Sequence, residues 1–290
     1  MKTSPRKRWL LRGALALAGL GLVGFVVAAS GVIPLKASSG HWRITEWILR
    51  FGMERSIATH SLPIKAPENL TSPALIRKGA SYYDLGCRSC HGAPDIPQPP
   101  IAARMLPQPP KLGERIRESD AEKLFYVVKH GMKFTGMPAW PAAERDDEVW
   151  AVVAFLLKYR ELDATSYGNL VGHSEQRKAR EHAAAIPPIV AQSCVSCHGI
   201  DGLGRGHAEM PRLAGQRFEY LDSALIAFAT GRRHSGMMSQ AAASLSAEDR
   251  RHAAQYYAGL PPAAASSLDA QPEAIARGKQ LANEGLRDQR

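Results

Sequence analysis

Two five-residue words carry most of the chemistry in this chain: Cys87-Arg88-Ser89-Cys90-His91 and Cys194-Val195-Ser196-Cys197-His198. In each, two thiols stand three positions apart, about one helical turn, which suits thioether bonds to both vinyl groups on a porphyrin edge. The histidine directly after the second thiol is then carried beneath the iron as its proximal ligand. The expectation is two covalently bound haem c groups, held by Cys87, Cys90 and His91 and by Cys194, Cys197 and His198. Two other chemistries use such cysteines. A dithiol redox pair needs no histidine in the same place both times, and a single zinc site built from all four thiols must close the long loop between Cys90 and Cys194. All four cysteines of the chain fall inside the two words, so none remains for a disulfide.

A haem iron with one histidine commonly takes methionine as its sixth ligand, which raises its reduction potential. In the first half Thr135-Gly136-Met137-Pro138-Ala139-Trp140 offers Met137 on a loop 50 residues beyond Cys87. Gly136 gives backbone freedom there, Pro138 fixes the following turn, and Trp140 can pack beside the ring. His130 and Met132 are rivals at the end of the preceding helix. In the second half Met237 and Met238 are adjacent on what reads as a loop, where neighbours seldom point the same way, and the residues alone leave the choice open. His234, in a basic loop, reads as a surface residue.

The elements that must position these groups are helical. Ala74 to Tyr83 leads into the first word, and the proline-rich stretch 93–113 suits an irregular loop around a haem edge. Asp120 is placed to cap a helix bearing Leu124, Phe125, Val127 and Val128 that ends near Gly131. Another helix starts at Asp146-Asp147 with a stripe of Val149, Trp150, Val153, Phe155, Leu156 and Tyr159. The order repeats after a polar connection: a leading segment enters the second word, then a helix over 217–231 carries Tyr220, Leu221, Leu225, Ile226 and Phe228. Ser246-Ala247-Glu248-Asp249 resembles a capping box opening a last helix with Ala253, Ala254, Tyr256, Tyr257 and Leu260. No strand-rich region is evident.

Ahead of these lies a basic cluster of Lys2, Arg6, Lys7, Arg8 and Arg12, then an uncharged stretch over 13–35. At 1.5 Å rise per residue that stretch is about 34 Å long, against about 30 Å of hydrocarbon core. A retained transmembrane helix is expected, although Ala28-Ala29-Ser30 offers small residues that suit a signal peptidase. The basic flank puts the N-terminus in the cytoplasm and the remainder in the periplasm. From His41 to His60 the apolar positions 44, 47, 48 and 51 share one helical face with Trp42 and Met53 nearby. That face is expected on lipid or a partner, with packing on the first haem domain as the alternative. The formal charge of +10 favours an acidic redox partner or anionic lipid. No basic-aromatic module points to nucleic acid.

The words, together with Pro211-Arg212-Leu213-Ala214-Gly215-Gln216, Gly231-Arg232-Arg233, Met237-Met238 and Leu245-Ser246, resemble the tandem-domain dihaem class I cytochromes c over approximately residues 68–262. The resemblance implies an all-α fold with two tandem class I cytochrome c domains after an N-terminal transmembrane helix. The expected organisation is 1–36 anchor, 37–67 amphipathic juxtamembrane segment and linker, 68–163 first cytochrome c domain, 164–182 interdomain linker and 183–262 second cytochrome c domain. Residues 263–290 form a tail whose Glu273-Ala274-Ile275-Ala276-Arg277-Gly278-Lys279 resembles the approach to the first word. That tail is read either as the start of a truncated third repeat or as an ordinary terminal helix. In the family the ligand methionine commonly stands seven residues before the leucine of the last helix start, which implies Met238. A proline carbonyl there often accepts a hydrogen bond from the proximal histidine. Pro211 fits that role, whereas Pro110, inside a proline run, reads as a turn-former.

The implied function is single-electron transfer between a redox protein donor and acceptor, as the cytochrome subunit of a dehydrogenase or the donor to an oxidase. The haem domains would lie in the periplasm, tethered to the bacterial inner membrane. The chain shows no nucleophile constellation and no nucleotide loop, so catalysis is not expected of it. A dihaem peroxidase is the enzymatic alternative, disfavoured because it needs an open iron position. A haem-based sensor lacks a signalling domain.

Overall fold

The computed structural model describes residues 5–33, 36–116, 120–182, 185–206, 210–263 and 272–284. Among these every regular element is helical, with one isolated antiparallel bridge between Ala93 and Ile96. Helix α1 (Pro5–Ala29) is apolar, exposed where described, and long enough to cross a membrane. Pro34 and Leu35, at the end of the uncharged stretch, lie outside the described residues. α2 (Arg43–His60) follows, then α3 (Pro73–Gly86), α4 (Arg88–His91), α5 (Leu112–Arg115), α6 (Ala121–His130) and α7 (Asp146–Lys158). The chain continues through α8 (Ala164–Val171), α9 (His173–Glu181), α10 (Pro188–Ser193), α11 (Val195–His198) and α12 (Phe218–Ala229). It closes with α13 (Gly236–Ala243), α14 (Ala247–Ala258) and α15 (Pro272–Glu284).

The helices divide into two compact units, Met1–Ser174 with Ala227–Ser244, and Glu175–Ile226 with Leu245–Arg290. In the first, α3 and α7 pack directly against each other. A Cβ on Gly79 would stand 1.8 Å from the carbonyl oxygen of Ala151, so only glycine admits the crossing. Of the expected stripe, Val149, Val153, Phe155, Leu156 and Tyr159 are buried in the core, and Val152 joins them. Tyr83 of α3 packs on Phe155 with ring centroids 5.0 Å apart, and Phe155 in turn meets Tyr159 and Tyr167. Trp150 is only partly buried, stacked on Phe125 of α6 at 4.3 Å.

Residues 164–182, expected as a linker, are instead two helices that take part in the cores. Tyr167 and Val171 stand one turn apart on α8 and are buried in the first unit, with the Tyr167 hydroxyl donating to Asp84 Oδ1 at 2.7 Å. Ala179 of α9 is buried in the core of the second unit. The polar composition of this stretch concealed them, since an i, i+4 pair is enough to seat one short helix. Residues 227–244 of the expected second domain make their contacts with the first unit.

Caps follow the sequence unevenly. Asp120 occupies the N-cap of α6, but its carboxylate pairs with Lys123 at 2.8 Å rather than with a backbone N–H. Ser246 does cap α14, its Oγ accepting from Asp249 N at 3.0 Å. Its own proton goes to Asp249 Oδ2 at 2.7 Å, so Asp249, a methylene shorter than glutamate, closes the box on the hydroxyl. The second unit's core gathers Val190, Ala191, Val195, Leu221, Ala253, Ala254 and Tyr257. Of the tail, 264–271 and 285–290 lie outside the described residues, and α15 is exposed where its side chains are described.

Candidate haem sites

The first word begins where α3 ends. Cys87 is the C-cap of that helix, and its carbonyl accepts the backbone N–H groups of Cys90 and His91 at 3.0 and 2.9 Å. One tight turn thus sets both sulfurs and the imidazole. Tyr83, buried, donates its hydroxyl to the Gly92 carbonyl at 2.8 Å and fastens the end of the turn. The His91 Nδ1–H donates to the Pro110 carbonyl at 3.1 Å. The loop carrying Pro110 is pinned by Gln98, whose Nε2 donates to the carbonyls of Cys90 and Pro109 at 3.1 and 2.8 Å.

The second word repeats this design with different parts. Cys194 caps α10, and its carbonyl accepts from Cys197 and His198 at 3.3 and 3.0 Å. His198 Nδ1–H donates to the Pro211 carbonyl at 3.1 Å. Here the fastening tyrosine comes from the opposite end of the unit: Tyr257 of α14 donates to Gly199 O at 3.1 Å, and Tyr256 to Ile200 O at 2.9 Å. Pro110 therefore does more than form a turn. Its carbonyl plays the same part as that of Pro211, because the loop folds back over 19 residues to meet the imidazole.

These contacts decide the tautomer. A carbonyl only accepts, so each Nδ1 carries the proton and each neutral ring presents its lone pair at Nε2, the arrangement of a metal-ligating histidine. Burial lowers the pKa of both His91 and His198, against the opposing effect of the carbonyl bonds, and favours that neutral form. The thiols argue in the same direction. Burial, with the neighbouring cysteine adding to it, pushes Cys87 and Cys194 each up to about 12. A reactive redox dithiol has the opposite character, with a depressed pKa. Among the described residues no three His, Cys, Asp or Glu side chains gather as a metal site. The donor set in each unit fits haem c.

Met137 sits on a loop closed at its base. Trp140 N donates to Lys129 O at 2.9 Å and Met132 N to Met137 O at 3.1 Å, while Thr135 Oγ1 accepts from Met137 N at 3.1 Å. Gly131, at φ 62°, lets the strands of the loop touch: a Cβ there would lie 2.5 Å from the Pro138 carbonyl carbon. Trp140 is buried, and its indole N–H donates to Glu148 Oε2 at 3.1 Å.

Met237 and Met238 lie in the first turn of α13 rather than on a loop. Ser235 caps that helix, its Oγ accepting from Met238 N at 3.2 Å. Met237 is 6% exposed, in the core of the first unit, with its Cε 3.5 Å from where a Cβ on Gly86 would stand. Met238 is half-buried and takes no part in that core. His234 is exposed and paired with Glu144.

Sequence reasoning missed Glu148. It reads as one of three acids in a helix's first turn, yet it is 1% exposed. Its carboxylate accepts from Trp140 Nε1, from Ser235 Oγ at 2.6 Å and from Gly236 N at 2.6 Å, and pairs with Arg145 Nη1 at 3.2 Å. Arg145 also donates to the His234 carbonyl at 2.9 Å. One buried carboxylate thereby ties the methionine loop of 131–140 to the start of α13. Beside it the Arg145 guanidinium, hydrogen-bonded to Asp147, holds that carboxyl down to about 2 from its usual 3.8. With the folded value depressed, the stabilisation is complete above the unfolded value and fades as pH falls toward the folded one. Asp147→Asn is expected to flatten the acid limb of a stability profile between those two values, measured by denaturant midpoints at successive pH.

Comparison with known proteins agrees with this geometry. The family model described as cytochrome c oxidase, cbb3-type, subunit III matches twice, over residues 74–156 and 181–256. A thiosulfate dehydrogenase electron acceptor of Stutzerimonas stutzeri (strain A1501) is 33% identical over 63% of this chain and 82% of that protein. Another protein of the same name, from Thiomonas intermedia (strain K12), is 41% identical over 35% of this chain, which spans about half (46%) of its length. The cbb3-type cytochrome c oxidase subunit CcoP of Cereibacter sphaeroides is 27% identical over 71% of this chain and 68% of its own. No solved structure matches. With the family model matched twice over more than half of the chain, each time across a Cys-x-x-Cys-His word, the chain belongs to the cytochrome c family and carries two copies of its domain.

Proposed function

We propose that this chain is a membrane-anchored, periplasmic dihaem cytochrome c that accepts single electrons from a dehydrogenase and passes them on. Cys87 and Cys90, and Cys194 and Cys197, would hold the two haem groups through thioether bonds, with His91 and Met137, and His198 and Met238, as the residues that would ligate the iron. Haem iron bound there supplies the one-electron couple. The chain's own residues fix its surroundings: the proline carbonyls hold each imidazole in orientation, Tyr83 and Tyr257 lock the turns, and the closed 131–140 loop presents a thioether rather than water.

The observation that carries this reading is the bond from histidine Nδ1 to a proline carbonyl, 3.1 Å in both units after both words. Helix α1 supports the anchor by length and composition, and its basic flank the orientation. Relatives named as acceptors of thiosulfate dehydrogenase support a dehydrogenase of inorganic sulfur as the donor. The likeness to CcoP supports a second reading, delivery of electrons to an oxidase.

Haemochrome analysis of the purified chain is expected to give two haem c per polypeptide, and electron paramagnetic resonance of the oxidised protein two low-spin ferric centres. A substantial high-spin population would overturn the account and point to a dihaem peroxidase. Reduction of the ferric protein by thiosulfate dehydrogenase and thiosulfate, followed by stopped flow, tests the donor.

A further inference from the structure

The amphipathic helix α2 packs by one side on α6, with His60 stacked on Tyr126 at 5.6 Å between ring centroids. Thr45, Leu49, Met53 and Ile57, along one side of the helix, are half-buried. Helix α2 thus packs on the first unit by a face other than the strongly apolar one. Ile44, Trp47, Ile48 and Phe51, with Trp42 just before the helix, are between 53% and 68% exposed. These positions recur at the helical period, so they form one continuous stripe, and Trp47 stacks on Phe51 at 5.7 Å. Arg43, Glu46, Arg50 and Glu54 line one edge of it, with Glu46 engaged by Arg50 at 3.5 Å. At the C-terminal end Arg55 lies over the Phe51 ring, 5.8 Å from its centroid.

We infer that this stripe lies in the outer headgroup region of the same bilayer that α1 crosses, so that the first haem unit is seated on the membrane rather than swinging from a tether. The inference rests on the anchored reading of α1. Three features favour lipid over a protein occupant. Residues 30–42, which join α1 to α2, reach at most about 45 Å even when fully extended, so the stripe stays within that distance of the surface. Tryptophans on an apolar face flanked by arginines match the chemistry of an interface with anionic lipid. The apolar face also belongs to an element whose other side is already occupied by the fold, leaving it outward.

Site-directed spin labelling tests this on the full-length, haem-loaded, reduced chain in vesicles of phosphatidylethanolamine and phosphatidylglycerol. With all four native cysteines in thioether linkage, Ile48→Cys and Glu54→Cys take a nitroxide singly, and Leu20→Cys reports on the anchor. Position 48 is expected to collide with dissolved oxygen several-fold more, relative to a water-soluble nickel chelate, than position 54. If position 20 lies in lipid while position 48 is open to nickel, the inference fails and the anchor stands. Should position 48 be shielded from both reagents, a protein surface covers the stripe and the inference is again overturned. A position 20 open to nickel removes the anchored reading itself.

Discussion

Glu148→Ala is expected to destabilise the haem-loaded protein by about 3–5 kcal/mol, because three buried donors lose their acceptor at about 1–3 kcal/mol each. The carboxylate lies 1% exposed and serves Trp140, Ser235, Gly236 and Arg145 together. Without it an indole N–H, a hydroxyl and a backbone N–H lose their acceptor inside the fold, each a desolvation cost of its own. Solvent cannot easily reach the gap, because Met237 and Trp140 are buried around it. Glu148→Gln keeps one acceptor oxygen and is expected to fall between the alanine variant and the parent. The denaturant midpoint measures the loss. Limited proteolysis near Arg232 and Arg233 reads the local part, since the segment 227–244 stays on the first unit through these bonds. A midpoint for Glu148→Ala equal to that of the parent would mean that the cluster contributes nothing net.

Met137→Ala is expected to abolish methionine ligation at one haem and lower its reduction potential on the order of 100 mV, within the wide range over which axial ligands tune haem. The loop that presents this side chain is closed by its own backbone, through Lys129 with Trp140 and Met132 with Met137. Removing the thioether therefore leaves the loop in place and takes away only the soft, neutral ligand that favours ferrous iron. In a redox titration one of two steps moves and the other stays. Met238→Ala is expected to move the step that Met137→Ala leaves alone. If both variants shift the same step, or neither does, the ligand assignment is wrong.

Parts of this were legible in consecutive residues. A Cys-x-x-Cys-His word places its own sulfurs and imidazole within a single turn, so both turns form as the spacing requires. The apolar stripe of α7 is likewise local, a matter of period, and it is the core of the first unit. Pro110 was misread because its residue type announces a turn, whereas its function resides in a backbone carbonyl that every residue has. Tyr83 and Tyr257 make the same hydrogen bond in the two units from opposite sides of their Cys-x-x-Cys-His words, and no repeat pattern could pair them.

By itself, then, the sequence determined the haem chemistry, the helical class and the twofold repetition, because each depends on side chains within a turn or two of one another. Tertiary structure decided what lies between residues far apart. It put Met237 into a core and left Met238 outside it, and made helices within 164–182. The physical reason is the same in each case. A methionine, a short polar helix or an acid in a first turn has no fixed environment of its own, and its burial and partners exist only once the chain has brought its neighbours to it.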